Sequence, residues 1–152
     1  LMRLLILAIG RMKQSPERDL FRHFKDRIAW GISVREIEEK KLLPPAQLIA
    51  REAELLRAAI PDGARTVALD SNGRALTSPD FANRLSKWRD EADHPVVFLI
   101  GGADGLEPSL VKQADLALSF GAVTWPHMLM RGLLAEQIYR AQQILAGHPY
   151  HR

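Results

Sequence analysis

The sequence contains no cysteine. Disulfide bonds, thiolate metal sites and cysteine nucleophiles are therefore excluded, which is compatible with a reducing cytoplasm. No stretch approaches the roughly 20 apolar residues that a membrane-spanning helix needs. The apolar start, residues 4–9, is followed at once by charged side chains, which favours a buried strand over a signal peptide. We expect a cytoplasmic protein with no membrane partner.

Several signatures of catalytic and metal sites are also missing. The five histidines show neither H-x-x-x-H nor H-E-x-x-H spacing, so we expect no metal site. No serine lies in a G-x-S-x-G context, which leaves a hydrolase nucleophile with little support. The glycine-rich stretch 101–105 has neither the spacing of the dinucleotide fingerprint nor the Lys-Ser/Thr of a P-loop.

The composition that remains is typical of a globular domain. The chain has 152 residues, of which 47% are hydrophobic and 26% charged, and we interpret 1–152 as one domain with its own core. Its 21 basic and 18 acidic residues give a net charge of +3. That balance permits an anionic partner such as RNA without demanding one.

Short apolar runs alternate with amphipathic segments along the whole chain. Strands are predicted at 4–9, 32–37, 66–69, 95–100 and 116–119, and helices from Ser15, at 46–60, from Ser78, at 108–113 and at 126–145. The stretch 70–73, Asp-Ser-Asn-Gly, is predicted to be a loop. This alternation predicts an α/β fold with a mostly parallel sheet and helices on both sides.

Ligands in such folds bind where parallel strands end. The glycines of 101–105 follow the predicted fourth strand, and they fit either close backbone approach to a ligand or a tight turn. Asp70 and Asp104 also follow strands, where each fits a general base, a ribose contact or a turn aspartate. From the spacing alone these alternatives remain open.

The last third of the chain holds three further features. The final helix carries a wide apolar face that suits either the core or a homodimer. Lys112, Arg131, Arg140 and Arg152 suit either phosphate contacts or a solvated surface. The ending His148-Pro149-Tyr150-His151-Arg152 places proton donors where most chains carry a frayed tail.

These pieces together resemble a known family. The segments concerned are Leu69-Asp70, Leu99-Ile100-Gly101-Gly102 with Gly105, Thr124 with Pro126-His127, Arg131, Glu136 with Tyr139-Arg140-Ala141, and His148–Arg152. In order and distance they resemble the large-subunit ribosomal RNA pseudouridine methyltransferases H, a minimal group of the SPOUT class, over nearly the whole chain.

The resemblance implies an α/β sheet whose C-terminal segment forms a trefoil knot, and a homodimer. It implies S-adenosylmethionine as cofactor, held by Leu69, Gly101 and the segment Phe120, Gly121, Ala122, Val123, Thr124 and Trp125. The implied reaction is methylation of N3 of a pseudouridine in the 23S rRNA of the assembled ribosome. Arg131 and Arg152 are then expected to bind RNA.

Methyl transfer to an imide nitrogen needs in-line placement and removal of one proton. Tyr150 and His151 are the catalytic candidates, to orient the base or accept that proton, and His127 is a weaker one. The chain departs from the family pattern at Ala103-Asp104, Gly121 and Trp125. Two alternatives are a SPOUT methyltransferase for another rRNA or tRNA site, and a non-catalytic α/β module that binds RNA or nucleotides.

Overall fold

The fold comes from a computed structural model that describes residues 2–91 and 93–152. Its strands are β1 (Arg3–Ile9), β2 (Gly31–Ile37), β3 (Arg65–Arg74), β4 (Val96–Ile100) and β5 (Leu116–Leu118). Its helices are α1 (Pro16–Lys25), α2 (Pro45–Ala59), α3 (Ser78–Glu91), α4 (Pro108–Gln113) and α5 (His127–Leu145). The elements predicted from the sequence are confirmed in type and order.

The five strands form one sheet in the order β2-β1-β4-β3-β5, and every pair is parallel. The α/β fold predicted from the alternation is therefore confirmed. β4 is buried at all five positions because helices cover both faces of the sheet. β2 lies at an edge, and its burial alternates as expected for a strand that is half exposed.

Two helical layers enclose the sheet. One core packs α1, α3 and α5 against side chains such as Ile6, Phe98 and Leu118, and α5 lies between α1 and α3. The other core packs α2 and α4 against Leu7 and Leu99. The described helices include none that is both long and apolar enough to cross a membrane.

Local sequence signals set the ends of α1. Ser15 is its N-cap, and the Ser15 hydroxyl accepts a hydrogen bond from the N–H of Arg18 at 3.2 Å, which satisfies one of the free amides of the first turn. Pro16 occupies the first helical position, where its missing N–H costs nothing. This start is as predicted.

The loop predicted at 70–73 is wrong, because β3 continues through these residues to Arg74. The extension pairs with β5 after a register shift between Leu69 and Arg74. A Cβ atom on Gly73 would lie 2.6 Å from the carbonyl carbon of Ala117, so only glycine allows this contact. Residues 70–73 are typical of a turn, so the sequence does not show that they extend β3, whose partner β5 lies more than 40 positions away.

The apolar face predicted for α5 is correct only in part. Leu134 and Ile138 are fully buried, whereas Leu129 and Leu133 are half-buried. The buried stripe instead includes Arg131, together with Gly132, Ala135 and Ala141. Small residues are needed there because α5 packs closely against its neighbours: a Cβ on Gly132 would lie 2.9 Å from the side chain of Leu20.

Candidate active site

A cavity of about 470 Å³ opens at the edge of the sheet where β3, β4 and β5 end. Three segments form its wall: residues 69–71 of β3, the glycine loop 100–106 after β4, and residues 118–130 from the end of β5 into α5. Parallel strands carry their ligands at this edge. The volume suits a small organic ligand.

The glycine loop closes on itself beside this cavity. The N–H of Gly105 donates to the carbonyl of Gly102 at 3.0 Å, and Gly105 has a positive φ of 80°. A Cβ on Gly101 would lie 2.6 Å from the carbonyl carbon of Gly105, so glycine is required at position 101. The glycines thus form a tight turn, one of the two alternatives from the sequence, and this turn lines the cavity.

The segment 119–125 is shaped largely by its own hydrogen bonds. The buried Ser119 hydroxyl accepts from the N–H of Gly121 at 3.1 Å and lies 3.1 Å from the carbonyl of Ser71. The indole N–H of Trp125 donates to the carbonyl of Phe120 at 3.3 Å. These contacts fix the backbone of the segment, and several of its residues line the cavity.

Seven of the eight residues predicted to bind the cofactor line this one cavity, and Ala122 is the exception. The seven are Leu69, Gly101, Phe120, Gly121, Val123, Thr124 and Trp125. Ile100, Leu118 and Met130 also line it, and sequence reasoning missed them because apolar residues in strands and helices resemble core. Asp70 lies in the wall, while exposed Asp104 is not part of it.

His127 begins α5 and lines the cavity. Partial burial lowers the pKa of its imidazole, and the positive charge of Arg131 lowers it further. His127 is therefore neutral at pH 7 and has a ring nitrogen able to accept a proton. The sequence indicated His127 as a weaker catalytic candidate than Tyr150 and His151.

Arg131 does not present its side chain to solvent, which argues against the predicted direct contact with RNA. The residue is 1% exposed. Its guanidinium donates to the carbonyls of Ile9 and Gly10 at 3.1 and 2.7 Å and pairs with Glu36 at 2.5 Å. Arg131 therefore fixes the end of β1. Sequence reasoning missed Glu36 because a charge on a half-exposed strand looks like solvated surface.

Glu36 joins this arrangement from β2. Its carboxylate also accepts the N–H of Met12 at 2.6 Å. Partial burial by itself raises the pKa of Glu36, but the hydrogen bonds from Met12 and Arg131 outweigh burial and hold that pKa below its usual range. Glu36 is ionised at neutral pH and ties the loop after β1 to α5.

A second carboxylate was also missed. Glu52 lies on α2, where a Cβ on Gly102 would be 3.5 Å from its carboxylate. Burial raises the pKa of Glu52, and the negative charge of Asp104 raises it further. Asp104 therefore acts on Glu52 behind the glycine loop rather than inside the cavity.

The C-terminal tail packs onto α5 as a cluster. The Tyr150 hydroxyl donates to Glu136 at 3.0 Å, and its ring lies edge-to-face on Tyr139 with centroids 4.8 Å apart. The Arg140 guanidinium sits 4.8 Å from the centre of the Tyr150 ring and pairs with Glu136 at 2.7 Å. Arg140 also lies 3.1 Å from Nδ1 of His151.

Protonation in this cluster follows from those contacts. Burial raises the pKa of Tyr150, and its hydrogen bond to Glu136 raises it further, so the phenol is neutral at pH 7. Arg140 has only donors, so Nδ1 of His151 accepts and a neutral His151 ring carries its proton on Nε2. The Tyr150 proton is therefore engaged by Glu136, whereas Nε2 of His151 is not used in this cluster.

The tail lies outside the lining of the cavity at the strand ends. Glu136, its anchor on α5, instead lines a second, mostly apolar cavity of about 490 Å³. The two cavities share Leu118, Phe120, Gly121 and Trp125 as a common wall. Arg152 is exposed, and within residues 2–91 and 93–152 no group of three His, Asp or Glu could hold a metal ion.

The chain matches the profile of a family described as "Predicted SPOUT methyltransferase" over residues 2–151. It is 57% identical to the ribosomal RNA large subunit methyltransferase H of Paramagnetospirillum magneticum and 54% identical to that of Rhodospirillum centenum, over 99% of each chain. It belongs to this family of SPOUT methyltransferases. The resemblance given by the sequence motifs is confirmed.

Solved structures agree on the fold. A probable methylase from Haemophilus influenzae Rd KW20 superposes with a TM-score of 0.59 at 9% identity, over 99% of this chain and 70% of the other. A structure described as giving insight into the 2-OH methylation of C/U34 on tRNA superposes with a TM-score of 0.52 at 17% identity, over 96% and 99%.

SPOUT methyltransferases use S-adenosylmethionine, and the cavity fits that cofactor. Its volume lies within the usual range for small-molecule sites, and its lining combines apolar side chains such as Leu69, Ile100 and Met130 with glycines. Gly101 and Gly121 place no side chains in the wall. The chain is an S-adenosylmethionine-dependent methyltransferase of the large-subunit rRNA family.

Proposed function

We propose that the protein methylates N3 of a pseudouridine in the 23S rRNA of the assembled ribosome, as a cytoplasmic homodimer. The observation that carries the proposal is the cavity at the strand ends, lined by seven of the predicted cofactor residues in a family member matched end to end. Relatives named for the large subunit favour this substrate over the tRNA alternative.

Bound S-adenosylmethionine supplies an electrophilic methyl group on a sulfonium sulfur. The glycine loop and the segment 120–125 would hold the cofactor, with backbone groups of Gly101 and Gly121 and the apolar faces of Leu69 and Val123 as its contacts. Phe120 and Trp125 would exclude water from one side. The protein then has to place the base in line and take one proton from it.

We assign proton acceptance to His127. This residue lines the cavity and is neutral at pH 7, so a ring nitrogen is free to accept the imide proton. We assign Tyr150 and His151 to orienting the base: Arg140 occupies Nδ1 of His151, which leaves Nε2 to face a partner, and Glu136 fixes the position of the Tyr150 ring. This division of roles differs from the expectation from the sequence, which favoured Tyr150 and His151 for both roles and gave His127 as a weaker candidate.

A second copy of the chain is supported by apolar surface near the site. Val123 is 59% exposed and Trp125 is 39% exposed, and the second cavity beside them is mostly apolar. A homodimer that covers this surface would remove it from water. Sedimentation equilibrium tests the dimer, since a monomer at micromolar concentration would contradict it. Whether the C-terminal segment is knotted stays a prediction from the family resemblance.

Methyl transfer tests the substrate. Purified protein is incubated with S-adenosylmethionine that carries a labelled methyl group and with ribosomes from a strain that lacks the native methyltransferase. The rRNA nucleosides are then separated and identified by mass spectrometry. We expect one methyl group on pseudouridine. We expect no methyl transfer to ribosomes in which the target uridine has not been converted to pseudouridine. Methylation of another nucleoside would refute the site, and labelling of naked 23S rRNA but not of ribosomes would refute the assembled substrate.

A further inference from the structure

A groove of about 920 Å³ lies between α1, β2 and the loop that joins β1 to α1. Six cationic side chains line it against two carboxylates. The cations are Arg11, Lys13, Arg18, Arg22, Lys25 and Arg131, and the carboxylates are Asp26 and Glu36. We name this surface the basic groove.

The basic groove concentrates the positive charge of the molecule. It has four more cations than carboxylates, whereas the whole chain has a net charge of only +3. Arg131 already neutralises Glu36. Among the described residues, no salt bridge engages Arg11, Lys13, Arg18, Arg22 or Lys25, so their charges are available to a partner.

Helical spacing and a fixed loop arrange these charges in a row. Arg18, Arg22 and Lys25 are four and three residues apart, which places them along one side of α1. The neighbouring loop carries Arg11 and Lys13, and it is held by the hydrogen bond from the N–H of Met12 to Glu36. The backbone that carries these cationic side chains is therefore already positioned before a partner binds.

The basic groove also adjoins the cofactor cavity. His127 lines the cavity and Arg131 lines the groove, and these residues are one turn apart on α5. Gly10 lies between them: a Cβ there would be 4.0 Å from both His127 Nε2 and Arg131 Nη2. A chain of phosphates in the groove would thus lead directly to the methyl donor.

We propose that the basic groove binds the phosphate backbone of the rRNA next to the target nucleotide. The inference rests on the proposed function, because it names the surface through which that substrate is held. Binding of a phosphate backbone requires positive charges along its path and no contacts to the bases. The row of Arg and Lys side chains in the basic groove supplies such charges. Specificity then comes from the shape of the ribosome and from the cavity.

The test is a triple variant, Arg18→Ala/Arg22→Ala/Lys25→Ala, compared with the wild type for binding to large ribosomal subunits between 50 and 200 mM salt. Each lost phosphate contact lowers the logarithmic salt slope by about 0.7–0.9. The loss of affinity between 50 and 200 mM salt should therefore be roughly 20- to 40-fold smaller for the triple variant than for the wild type. In methyl transfer we expect a higher KM for ribosomes, an unchanged kcat and unchanged S-adenosylmethionine affinity.

Two further variants make the result specific. Lys40→Ala/Lys41→Ala/Lys87→Ala removes the same charge from exposed positions outside the groove and should bind like the wild type. The charge-conserving variant Arg18→Lys/Arg22→Lys/Lys25→Arg should restore the wild-type salt slope. A wild-type slope in the alanine triple variant, or an equal loss in the outside variant, would overturn the proposal.

The binding measurement separates this inference from the proposed function. If the wild type transfers no methyl group to ribosomes, the proposed reaction fails. The groove is then still judged by binding: loss confined to the alanine triple variant supports it, and equal binding by all variants refutes it.

Discussion

The variant Glu36→Ala tests how much the Glu36 carboxylate stabilises the fold by compensating the buried charge of Arg131. The Arg131 side chain is 2% exposed, and its Nε finds no hydrogen-bond partner among residues 2–91 and 93–152. Removing one partner of a buried pair costs about 3–5 kcal/mol, because the other charge stays buried without compensation. The Glu36 side chain is 35% exposed, so solvent screens the pair and we expect about 2–4 kcal/mol.

Arg131→Met gives the matched comparison, since methionine keeps much of the buried volume without the charge. Glu36 can then turn toward water and keep the N–H of Met12, while the carbonyls of Ile9 and Gly10 lose their donor. We expect this variant to lose about 1–2 kcal/mol. The double variant Glu36→Ala/Arg131→Met should therefore be more stable than Glu36→Ala alone, because no unpaired charge remains.

Urea unfolding followed by tryptophan fluorescence measures these differences. Protein concentration must be fixed and cofactor omitted, since any ligand or subunit that binds the folded state raises the apparent stability. A loss below about 1 kcal/mol for Glu36→Ala would refute the reasoning. So would a double variant no more stable than Glu36→Ala, since the cost would then not come from the stranded charge.

Three further predictions concern the site. Gly101→Ala should abolish S-adenosylmethionine binding in calorimetry, because its Cβ would collide with the backbone of Gly105, whereas Gly31→Ala, with 3.6 Å of clearance, should bind normally. Tyr150→Phe removes the hydrogen bond to Glu136 and should lower kcat with little change in cofactor affinity; unchanged turnover would remove the tail from the mechanism. The lowered pKa of His127 means that the unfolded state takes a proton first as pH falls below about 6.5, so stability falls there. The difference between the urea midpoints at pH 7.5 and pH 5.5 should be smaller for His127→Gln than for the wild type. An equal difference in the two proteins would contradict this.

Most of the fold follows from signals within short stretches of sequence. The run Val96–Ile100 is apolar at every position, which predicted a strand buried on both faces. Ser15 and Pro16 predicted the start of α1 from cap chemistry alone. Such signals depend on residues a few positions apart, so the sequence contains them directly.

The features that the sequence analysis did not predict depend on contacts between residues far apart in the sequence. The extension of β3 through Asp70–Gly73 depends on β5, and turn residues hide it because local preference favours a loop. The burial of Arg131 depends on Glu36, which is 95 residues away. A single sequence gives an arginine on a helix no sign of a partner at that distance, so a surface role was the natural expectation.

The sequence by itself determined the alternating elements, the parallel α/β sheet, the glycine loop and, through its motifs, the family. Only the tertiary structure decided how the site is assembled. It brought the segments around Leu69, Gly101 and Phe120 to one cavity, placed the Tyr150 cluster on α5 outside the lining of that cavity, and buried Arg131 beneath the basic groove. The physical reason is that strand pairing and burial are set by the whole chain, whereas propensity and capping act within a few residues.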